Sequence, residues 1–362
     1  MHAPIERIEV SAYRIPTDGP EADGTIAWDA TTLVLVTAHA GATTGLGYTY
    51  AHEAAGLVAH KTLAPLLIGR DALDIPAAWE AMIRSVRNLG RPGVASMAIA
   101  AVDAALWDLK ARTLGVPVVG LLGAARERIA LYGSGGFTSY SLEHLARQLG
   151  GWIDQGLTMV KMKVGSDPAA DLERVRAARR AIGQQASLFV DANGAYARKE
   201  ALAFAAAFEA CQVSWFEEPV SSDDLEGLRL LRDRAPAGMA IAAGEYGFDP
   251  PYFRRMLEAG AVDVLQADAT RCCGITGFLK AAALAEAHMI PLSAHTAPSL
   301  HAHVCCAVPG VRHLEYFHDH ARIEHMLFEG VLSPVDGALE PDRKRPGFGL
   351  SFKRADAERY AI

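Results

Sequence analysis

The sequence lacks the features that mark secreted, membrane-bound and nucleic-acid-binding proteins. Its longest apolar stretch, Val116 to Ala125, is short and contains glycines, so a bilayer-spanning helix is not expected. The 362 residues contain no long block of like charge, and 35 basic and 42 acidic residues give a formal net charge of −7. We therefore expect neither nucleic acid nor membrane among the partners.

Cysteine is also scarce and shows no metal-binding spacing. The five cysteines are Cys211 and two adjacent pairs, Cys272–Cys273 and Cys305–Cys306. Neighbouring cysteines rarely form a disulfide, and no CxxC motif suggests a zinc site. The opening residues MHAPIERIEV alternate like a strand and do not resemble a signal peptide. These features favour a cytoplasmic protein with buried, reduced cysteines.

The first third of the chain has the pattern of an α+β domain, which we assign to residues 1–125. Residues 5–15 alternate with a period of two, and residues 31–50 indicate two strands around a turn at 39–41. Between them, residues 16–30 are rich in polar residues, glycine and proline, and predict a lid loop. Helical spacing follows over Glu53–Leu67, Ile75–Asn88 and Gly93–Leu114.

The rest of the chain repeats a unit of strand, loop and helix. Short apolar runs end at or just before a polar residue: Lys161 and Lys163, Asp191, Glu217, Glu245, Asp268, His295 and Glu315. Successive gaps lie between 20 residues (295 to 315) and 28 residues (163 to 191), which fits one βα unit each. A further run ends near Ser134 and brings the count to eight. The pattern predicts an α/β fold with a TIM-type (β/α) barrel over residues 126–328, followed by an extended segment, 329–362, that returns to the first domain.

The strand ends of such a barrel converge on one face, so these side chains should share a site. Asp191, Glu217 and Glu245 follow three successive runs and offer the hard oxygen ligands that Mg²⁺ prefers, with Mn²⁺ as a substitute. In the doublet Glu217–Glu218, alternation should direct one side chain into the site and the other away from it.

Lysine and histidine supply candidate acid and base groups. Lys161 and Lys163 are two residues apart on a strand and should point to one face, where mutual repulsion and a nearby cation would lower a lysine pKa. Asp268 should orient His295 and raise its pKa, as a general acid/base requires. Glu315 is predicted to be a protonated acid that donates a hydrogen bond to a substrate oxygen.

Other polar groups carry weaker signals. Ser134 lies in a GSGG segment that lacks the motif of a phosphate-binding loop. His301 and His303 fall in a predicted helix, where positions i and i+2 diverge, so no zinc site is expected. A group of four histidines, His313, His318, His320 and His325, is expected to lie mostly at the surface.

In motif order the chain resembles the enolase superfamily, and within it the mandelate racemase subgroup. The resemblance rests on AIAAVDAALWDLKARTLGVPV, KMKVG, DANGAY, WFEEPV, GE, DATRCCGITG, SAH and HLEYF, which span nearly the whole chain. It implies a modified TIM barrel with an α+β capping domain built from both chain ends, and Mg²⁺ held by Asp191, Glu217 and Glu245. It also implies a small-molecule carboxylate substrate and a homo-oligomer, either a dimer or an octamer.

The resemblance further implies a role for each polar residue. Lys163 would be the base on one face of the substrate's α-carbon with Lys161 as its electrostatic partner, and His295 with Asp268 would act on the other face. Glu315 would bind the substrate carboxylate, while Asn193 and Ser134 would line the pocket. Trp28 of the predicted lid loop and Arg271, at a strand end, are candidate specificity residues.

These expectations define a function with named alternatives. The first is a hydro-lyase that dehydrates a sugar acid, an aldonate or aldarate, to a 2-keto-3-deoxy acid; the acids of the predicted lid loop slightly favour a monocarboxylic substrate. A racemase or epimerase is the second, because bases on opposite faces can return the proton to the other side. A barrel that binds an anionic metabolite without turnover is the alternative from another class.

Overall fold

The computed structural model describes residues 2–362, and its first part is an antiparallel sheet covered by helices. The strands β1 (Arg7–Ala22), β2 (Ala27–Ala40) and β3 (Thr43–Tyr50) pair in this order. The helices are α1 (Ala54–Val58), α2 (Ala64–Leu67), α3 (Ile75–Ser85), α4 (Val94–Thr113) and α5 (Val118–Leu122), with a π-helical turn over Ala59–Leu63. The predicted helices are confirmed to within a few residues.

The predicted lid loop at residues 16–30 is wrong, because most of this segment is strand. β1 and β2 form a long hairpin that turns at residues 23–26, and their register shifts between Pro16 and Glu21. Proline is compatible with a strand at such an irregularity and at a sheet edge, so the turn-forming composition did not indicate a loop here. The hairpin extends from the sheet toward the barrel.

Within residues 2–362, eight parallel strands close into a barrel through the pairing of the first with the last. They are β4 (Ile129–Gly135), β5 (Met159–Lys163), β6 (Ser187–Asp191), β7 (Val213–Glu217), β8 (Ala240–Ala243), β9 (Val264–Ala267), β10 (Leu292–Ala294) and β11 (Val311–Phe317). The connecting helices are α6 (Leu142–Asp154), α7 (Pro168–Ile182), α8 (Arg198–Glu209), α9 (Leu225–Arg234), α10 (Pro250–Glu258), α11 (Gly274–Ala287), α12 (Pro298–Ala307) and α13 (His318–Leu327). The predicted modified TIM barrel with a capping domain is confirmed.

The C-terminal segment runs back along both parts of the fold. Its strands are β12 (Phe328–Glu329), β13 (Ala338–Leu339) and β14 (Ser351–Phe352), and β13 pairs with β4 of the barrel. A short helix, α14 (Arg354–Ala357), and a 3₁₀ turn (Glu358–Tyr360) follow, and Ala361 forms a bridge to Tyr13 of β1. The boundaries at residues 125 and 328 stay predictions.

Two earlier expectations concern burial and membrane insertion. Within the described chain all five cysteines are buried and free. Over residues 2–362, none of the helices is both long enough and apolar enough to traverse a bilayer.

Asp108 of α4 connects three parts of the fold. Its buried carboxylate accepts hydrogen bonds from the backbone N–H of Leu46 in β3 (2.8 Å) and of Phe348 in the C-terminal segment (2.7 Å). It also pairs with Arg112 one helical turn away (2.6 Å), and Arg112 donates to the carbonyl of Leu350. The carboxylate therefore satisfies backbone groups that would otherwise be buried without a partner.

We expect Asp108→Ala to destabilise the protein by about 3 kcal/mol, because several buried donors lose their acceptor at once. Urea denaturation followed by circular dichroism measures the change. Glu80→Ala is the matched control, since Glu80 is exposed and its ion pair with Arg84 is long (3.9 Å). Equal unfolding midpoints for the two variants would contradict the role given to Asp108.

Candidate active site

The barrel strands place the candidate residues side by side at one rim. In the parallel ladder, Lys163 of β5 is opposite Asp191 of β6, and Asp191 is opposite Glu217 of β7. Glu245 follows β8 by two residues, and Asp268 and His295 directly follow β9 and β10. Because the register of a closed barrel aligns neighbouring strand ends, residues more than 100 positions apart meet here.

Three carboxylates form a compact acidic group. Oxygens of Asp191, Glu217 and Glu245 lie within 4.8 Å of one another, and all three side chains are buried. Burial and the nearby charge of Asp191 raise the pKa of Glu217, although Lys161 opposes this. Such crowding of buried oxygen ligands fits a hard divalent cation, which would neutralise their repulsion. The donor set therefore suits Mg²⁺ or Mn²⁺.

The side chains of Glu217 and Glu218, at the end of β7, have different surroundings, as expected. Glu217 accepts hydrogen bonds from Lys161 Nζ (2.5 Å) and Trp215 Nε1 (2.9 Å) inside the barrel. Glu218 has a left-handed backbone (φ 38°) and lines a cavity of about 640 Å³ that also contacts Asn193 and Tyr246.

Lys161 and Lys163 each lie within ion-pair distance of buried carboxylates. The Nζ atom of Lys161 lies 2.5 Å from Glu217, 2.9 Å from Glu315 and 3.3 Å from Asp191. Lys163 Nζ donates to Asp191 (2.6 Å) and to Oδ1 of Asn193 (3.0 Å).

The carboxylates around the lysines oppose the expected lowering of a lysine pKa, which assumed a bound cation and stays a prediction. Burial favours the neutral amine, but Glu217 and Glu315 outweigh it for Lys161 and raise its pKa. Asp191 likewise raises the pKa of Lys163, against both burial and the charge of Lys161. The prediction weighed the second lysine and a cation but omitted the carboxylates. A cation shared by those carboxylates would shift the balance back toward the neutral amine.

Asp268 and His295 form a buried pair. Nδ1 of His295 lies 2.8 Å from Oδ2 of Asp268, whose Oδ1 accepts from the backbone and hydroxyl of Thr270 (2.6 and 2.7 Å). Burial alone would lower the pKa of His295, but the carboxylates of Glu245 and Glu315 raise it to about 9. The contact fixes the ring so that Nε2 faces the cavity, 3.2 Å from Glu245 and 3.6 Å from Glu315.

The charges around Glu315 oppose the expectation of a neutral acid, which stays a prediction. Burial would raise its pKa, but Lys161 and His295 lower it below the usual range. Its Oε2 atom is buried and accepts no hydrogen bond from the described residues. The carboxylate can therefore accept a hydrogen bond from a ligand or balance a nearby positive charge.

A cavity of about 220 Å³ lies between the barrel rim and the β1–β2 hairpin. The rim contributes Lys163, Asn193, Glu245, Tyr246, Arg271, His295, Thr296, Glu315 and Phe317, and α13 adds His320. The hairpin contributes Asp23, Ile26, Trp28, Ala30 and Thr31. Lys163 reaches the cavity from β5 and His295 from β10. Two strands, β4 and β11, separate β5 from β10 in the closed barrel. The cavity thus has nitrogen groups on separate walls.

The four predicted substrate contacts differ in placement. Asn193 follows β6 with a left-handed backbone (φ 46°), and Trp28 donates to Glu21 (2.7 Å) with its ring edge-on to Phe137. Arg271 is 3.4 Å from Glu245 and 3.7 Å from Asp268. Asn193, Trp28 and Arg271 line the cavity. The fourth predicted contact, Ser134, lies opposite Lys161 in the ladder and does not line it.

Sequence reasoning missed His320. The four late histidines were expected mostly at the surface, but His313 and His320 are buried. His320 lines the cavity, where it stacks on Tyr50 with ring centroids 3.5 Å apart. The only signal in the sequence was its position five residues after Glu315, at the start of the following helix. His301 and His303 of α12 form hydrogen bonds with the backbone N–H of Ala269 and the carbonyl of Phe348, respectively.

Two family models cover most of the chain. Residues 13–123 match the N-terminal domain of the mandelate racemase / muconate lactonizing enzyme family, and residues 144–357 match its enolase C-terminal domain-like part. The chain belongs to this family, within the enolase superfamily.

Similar proteins include one curated enzyme and two solved structures. The chain is 34% identical over 313 residues to L-talarate/galactarate dehydratase from Salmonella typhimurium, covering 85% of this chain and 77% of that protein. A mandelate racemase/muconate lactonizing enzyme-like protein from Rubrobacter xylanophilus is 56% identical with a TM-score of 0.97, covering 99% and 100% of the two chains. A racemase from Streptomyces coelicolor with bound magnesium is 32% identical with a TM-score of 0.93, at 99% and 100% coverage.

The geometry of the acidic group generates a binding prediction. Asp191→Asn, Glu217→Gln and Glu245→Gln should each weaken Mg²⁺ binding by roughly 100-fold or more, because each removes a charged ligand. Isothermal titration calorimetry measures the affinity. A second acidic group, Asp18 with Glu21 and His318, supplies the control Asp18→Asn, which should bind Mg²⁺ normally. Weaker Mg²⁺ binding in Asp18→Asn, with normal binding in the other three variants, would instead assign the cation to the second acidic group.

Proposed function

We propose that this chain removes the proton α to a carboxylate in a Mg²⁺-dependent reaction and thereby dehydrates a sugar acid, an aldonate or aldarate, to a 2-keto-3-deoxy acid. The observation that carries the proposal is a cavity lined by Glu245, Lys163 and His295, with Asp191 and Glu217 buried next to Glu245. The dehydratase activity named for the Salmonella relative supports it.

The three carboxylates would hold Mg²⁺, as the buried donor set allows and as the magnesium in the Streptomyces racemase supports. When bound, the cation supplies positive charge to the substrate carboxylate, whose α-proton is otherwise too weakly acidic to remove. Glu315 lines the cavity, and its Oε2 atom, which accepts no hydrogen bond from the described residues, would accept one from the substrate.

Lys163 is the base in this proposal. Its ammonium group donates hydrogen bonds to Asp191 and Asn193, which fix the Nζ atom at the cavity wall. As the neutral amine, it would take the α-proton and become an ammonium group. Lys161 makes no contact with the cavity and would act on Lys163 through its charge, which favours the neutral form of its neighbour.

His295 would complete the dehydration as a general acid. Asp268 holds Nδ1 so that Nε2 faces the cavity, and the protonated imidazole would carry the transferable proton at Nε2. Protonating the β-hydroxyl would release water as the Cβ–O bond breaks, leaving an enol that tautomerises to the 2-keto acid.

Racemisation or epimerisation is the second candidate function. Lys163 and His295 reach the cavity from different strands, so one group can remove the α-proton and the other can return a proton to the opposite face. The name of the Streptomyces relative favours this alternative. A barrel that only binds an anionic metabolite has less support, because both acid/base groups are present and face the cavity.

Two further properties stay predictions. The family resemblance indicates a homo-oligomer, a dimer or an octamer, and the composition favours a cytoplasmic location. The proposed partner is a small carboxylate, which the size and charge of the cavity support.

We expect a panel of sugar acids incubated with the protein and Mg²⁺ to include one that yields a 2-keto acid, detected as its semicarbazone. Chelation with EDTA should abolish the product, and Mn²⁺ should restore it. In deuterium oxide, dehydration incorporates deuterium at C3 of the product during tautomerisation. Deuterium exchange at the α-carbon with inversion and no keto acid would instead establish the racemase alternative.

Lys163→Ala and His295→Asn should each lower kcat by roughly 100- to 10,000-fold, since each removes a proton-transfer group. Mg²⁺ affinity should stay close to that of the unmodified protein in both variants. His288→Asn, at an exposed histidine after α11, serves as the control and should keep full activity. Full turnover in either test variant would remove that residue from the mechanism.

A further inference from the structure

One part of the cavity lining has its own chemical character. Asp23, Ile26 and Trp28 of the hairpin tip, Phe317 at the end of β11 and His320 of α13 form a surface that we call the tail wall. In the proposed function, the substrate carboxylate lies at the rim near Asp191, Glu217 and Glu245. The inference places the remaining carbons of the substrate against the tail wall.

The cationic side chains that line the cavity lie at the rim end, beside acids of the barrel strands. Among residues 2–362, Lys163 pairs with Asp191 (2.6 Å), Arg271 lies near Glu245 and Asp268 (3.4 and 3.7 Å), and His295 contacts Asp268 (2.8 Å).

Just outside the tail wall, Arg322 pairs with Asp319. The tail wall itself contains neither lysine nor arginine. A second carboxylate held against this wall would therefore meet no permanently charged cation there.

Asp23 is the charged member of the tail wall. Its Oδ1 atom accepts hydrogen bonds from the backbone N–H of Thr25 (2.6 Å) and Ile26 (2.8 Å), which fixes the side chain in the hairpin turn. Its Oδ2 atom accepts no hydrogen bond within residues 2–362, and the residue lines the cavity although only 7% of its surface is exposed. This carboxylate can accept a hydrogen bond from a hydroxyl but would repel a second carboxylate.

The other members of the tail wall are uncharged. Burial, together with the charge of His295, holds the pKa of His320 well below its usual range, so its imidazole is neutral. Its Nδ1 atom is buried and has no partner among the described residues. Trp28 uses its N–H for Glu21, which leaves its ring as an apolar surface beside Ile26 and Phe317. The wall thus suits a hydroxylated, uncharged chain.

We propose that the substrate is an aldonate, a monocarboxylic sugar acid, and that Asp23 is a specificity residue that discriminates against aldarates. This inference rests on the proposed function and narrows its substrate class. It would separate this chain from the Salmonella relative, which is named for two aldarates.

The test compares acids that differ only at the far end. Matched pairs of five- and six-carbon aldonates and aldarates, such as gluconate with glucarate and galactonate with galactarate, are assayed with Mg²⁺ for 2-keto acid. For the pair that is turned over, kcat/KM for the aldonate should exceed that for the aldarate by roughly tenfold or more, because like-charge repulsion disfavours the diacid.

Asp23→Asn tests the residue itself. Asparagine keeps the Oδ1 acceptor of the turn but loses the charge, so the aldonate-to-aldarate ratio should fall by about tenfold. Asp29→Asn is the matched control, because Asp29 is exposed on the same hairpin, pairs with Arg14 and is absent from this cavity. It should leave the ratio unchanged.

A binding measurement separates the inference from the proposed function. In Lys163→Ala loaded with Mg²⁺, calorimetry should show tighter binding of the aldonate than of its matched aldarate. A preference for aldarates, or an unchanged ratio in Asp23→Asn, would overturn the inference while leaving the proposed function intact. If the protein neither binds nor converts any acid of either kind, the proposed function fails and the inference fails with it.

Discussion

The burial of several charges of both signs at one end of the barrel is the constraint on which the rest of the structure depends. Lys161 is fully buried and lies within 3.3 Å of Asp191, Glu217 and Glu315. An isolated buried charge is very costly, whereas a network in which each charge has a partner can be retained. The barrel can hold such a network because its strand register fixes the spacing of the side chains.

The capping domain is also linked to the acid/base pair through a chain of hydrogen bonds. Thr49 of β3 donates to the carbonyl of Thr270 (2.6 Å), and Thr270 donates to Asp268 through its backbone and its hydroxyl (2.6 and 2.7 Å). Asp268 in turn orients His295 (2.8 Å). The position of the imidazole therefore depends on how the cap sits on the barrel, as well as on the strand that carries the histidine.

The sequence predicted the barrel and its strand ends well because both depend on local patterns. Apolar runs at intervals of one βα unit place Lys163, Asp191 and Glu217 at successive strand ends whatever the details of packing. The β1–β2 hairpin was missed because its prolines and glycines indicate turns, while cross-strand pairing decides the outcome.

Ionisation states could not be predicted in the same way. The pKa of Glu315 is lowered by Lys161 and His295, which are distant in sequence, and that of Lys163 depends on which carboxylates surround it. The role of His320 was hidden for a related reason, since helix position alone does not reveal that the ring stacks on Tyr50 of the other domain. Sequence patterns give position along an element, but electrostatics and cavity lining depend on the neighbours that the fold supplies.

Dehydration and racemisation would use the same residues at the barrel rim. The difference between them depends on how the rest of the cavity positions the substrate. Lys163, His295 and the carboxylate group can serve removal of an α-proton in either case, so the outcome depends on whether a β-hydroxyl lies near His295 or the α-carbon itself does. That choice is made by how far the substrate extends and by the groups that hold its far end. In the proposed orientation the far end would meet Asp23, Trp28 and His320, so the hairpin and α13 would govern both which acid enters and which bond faces the imidazole.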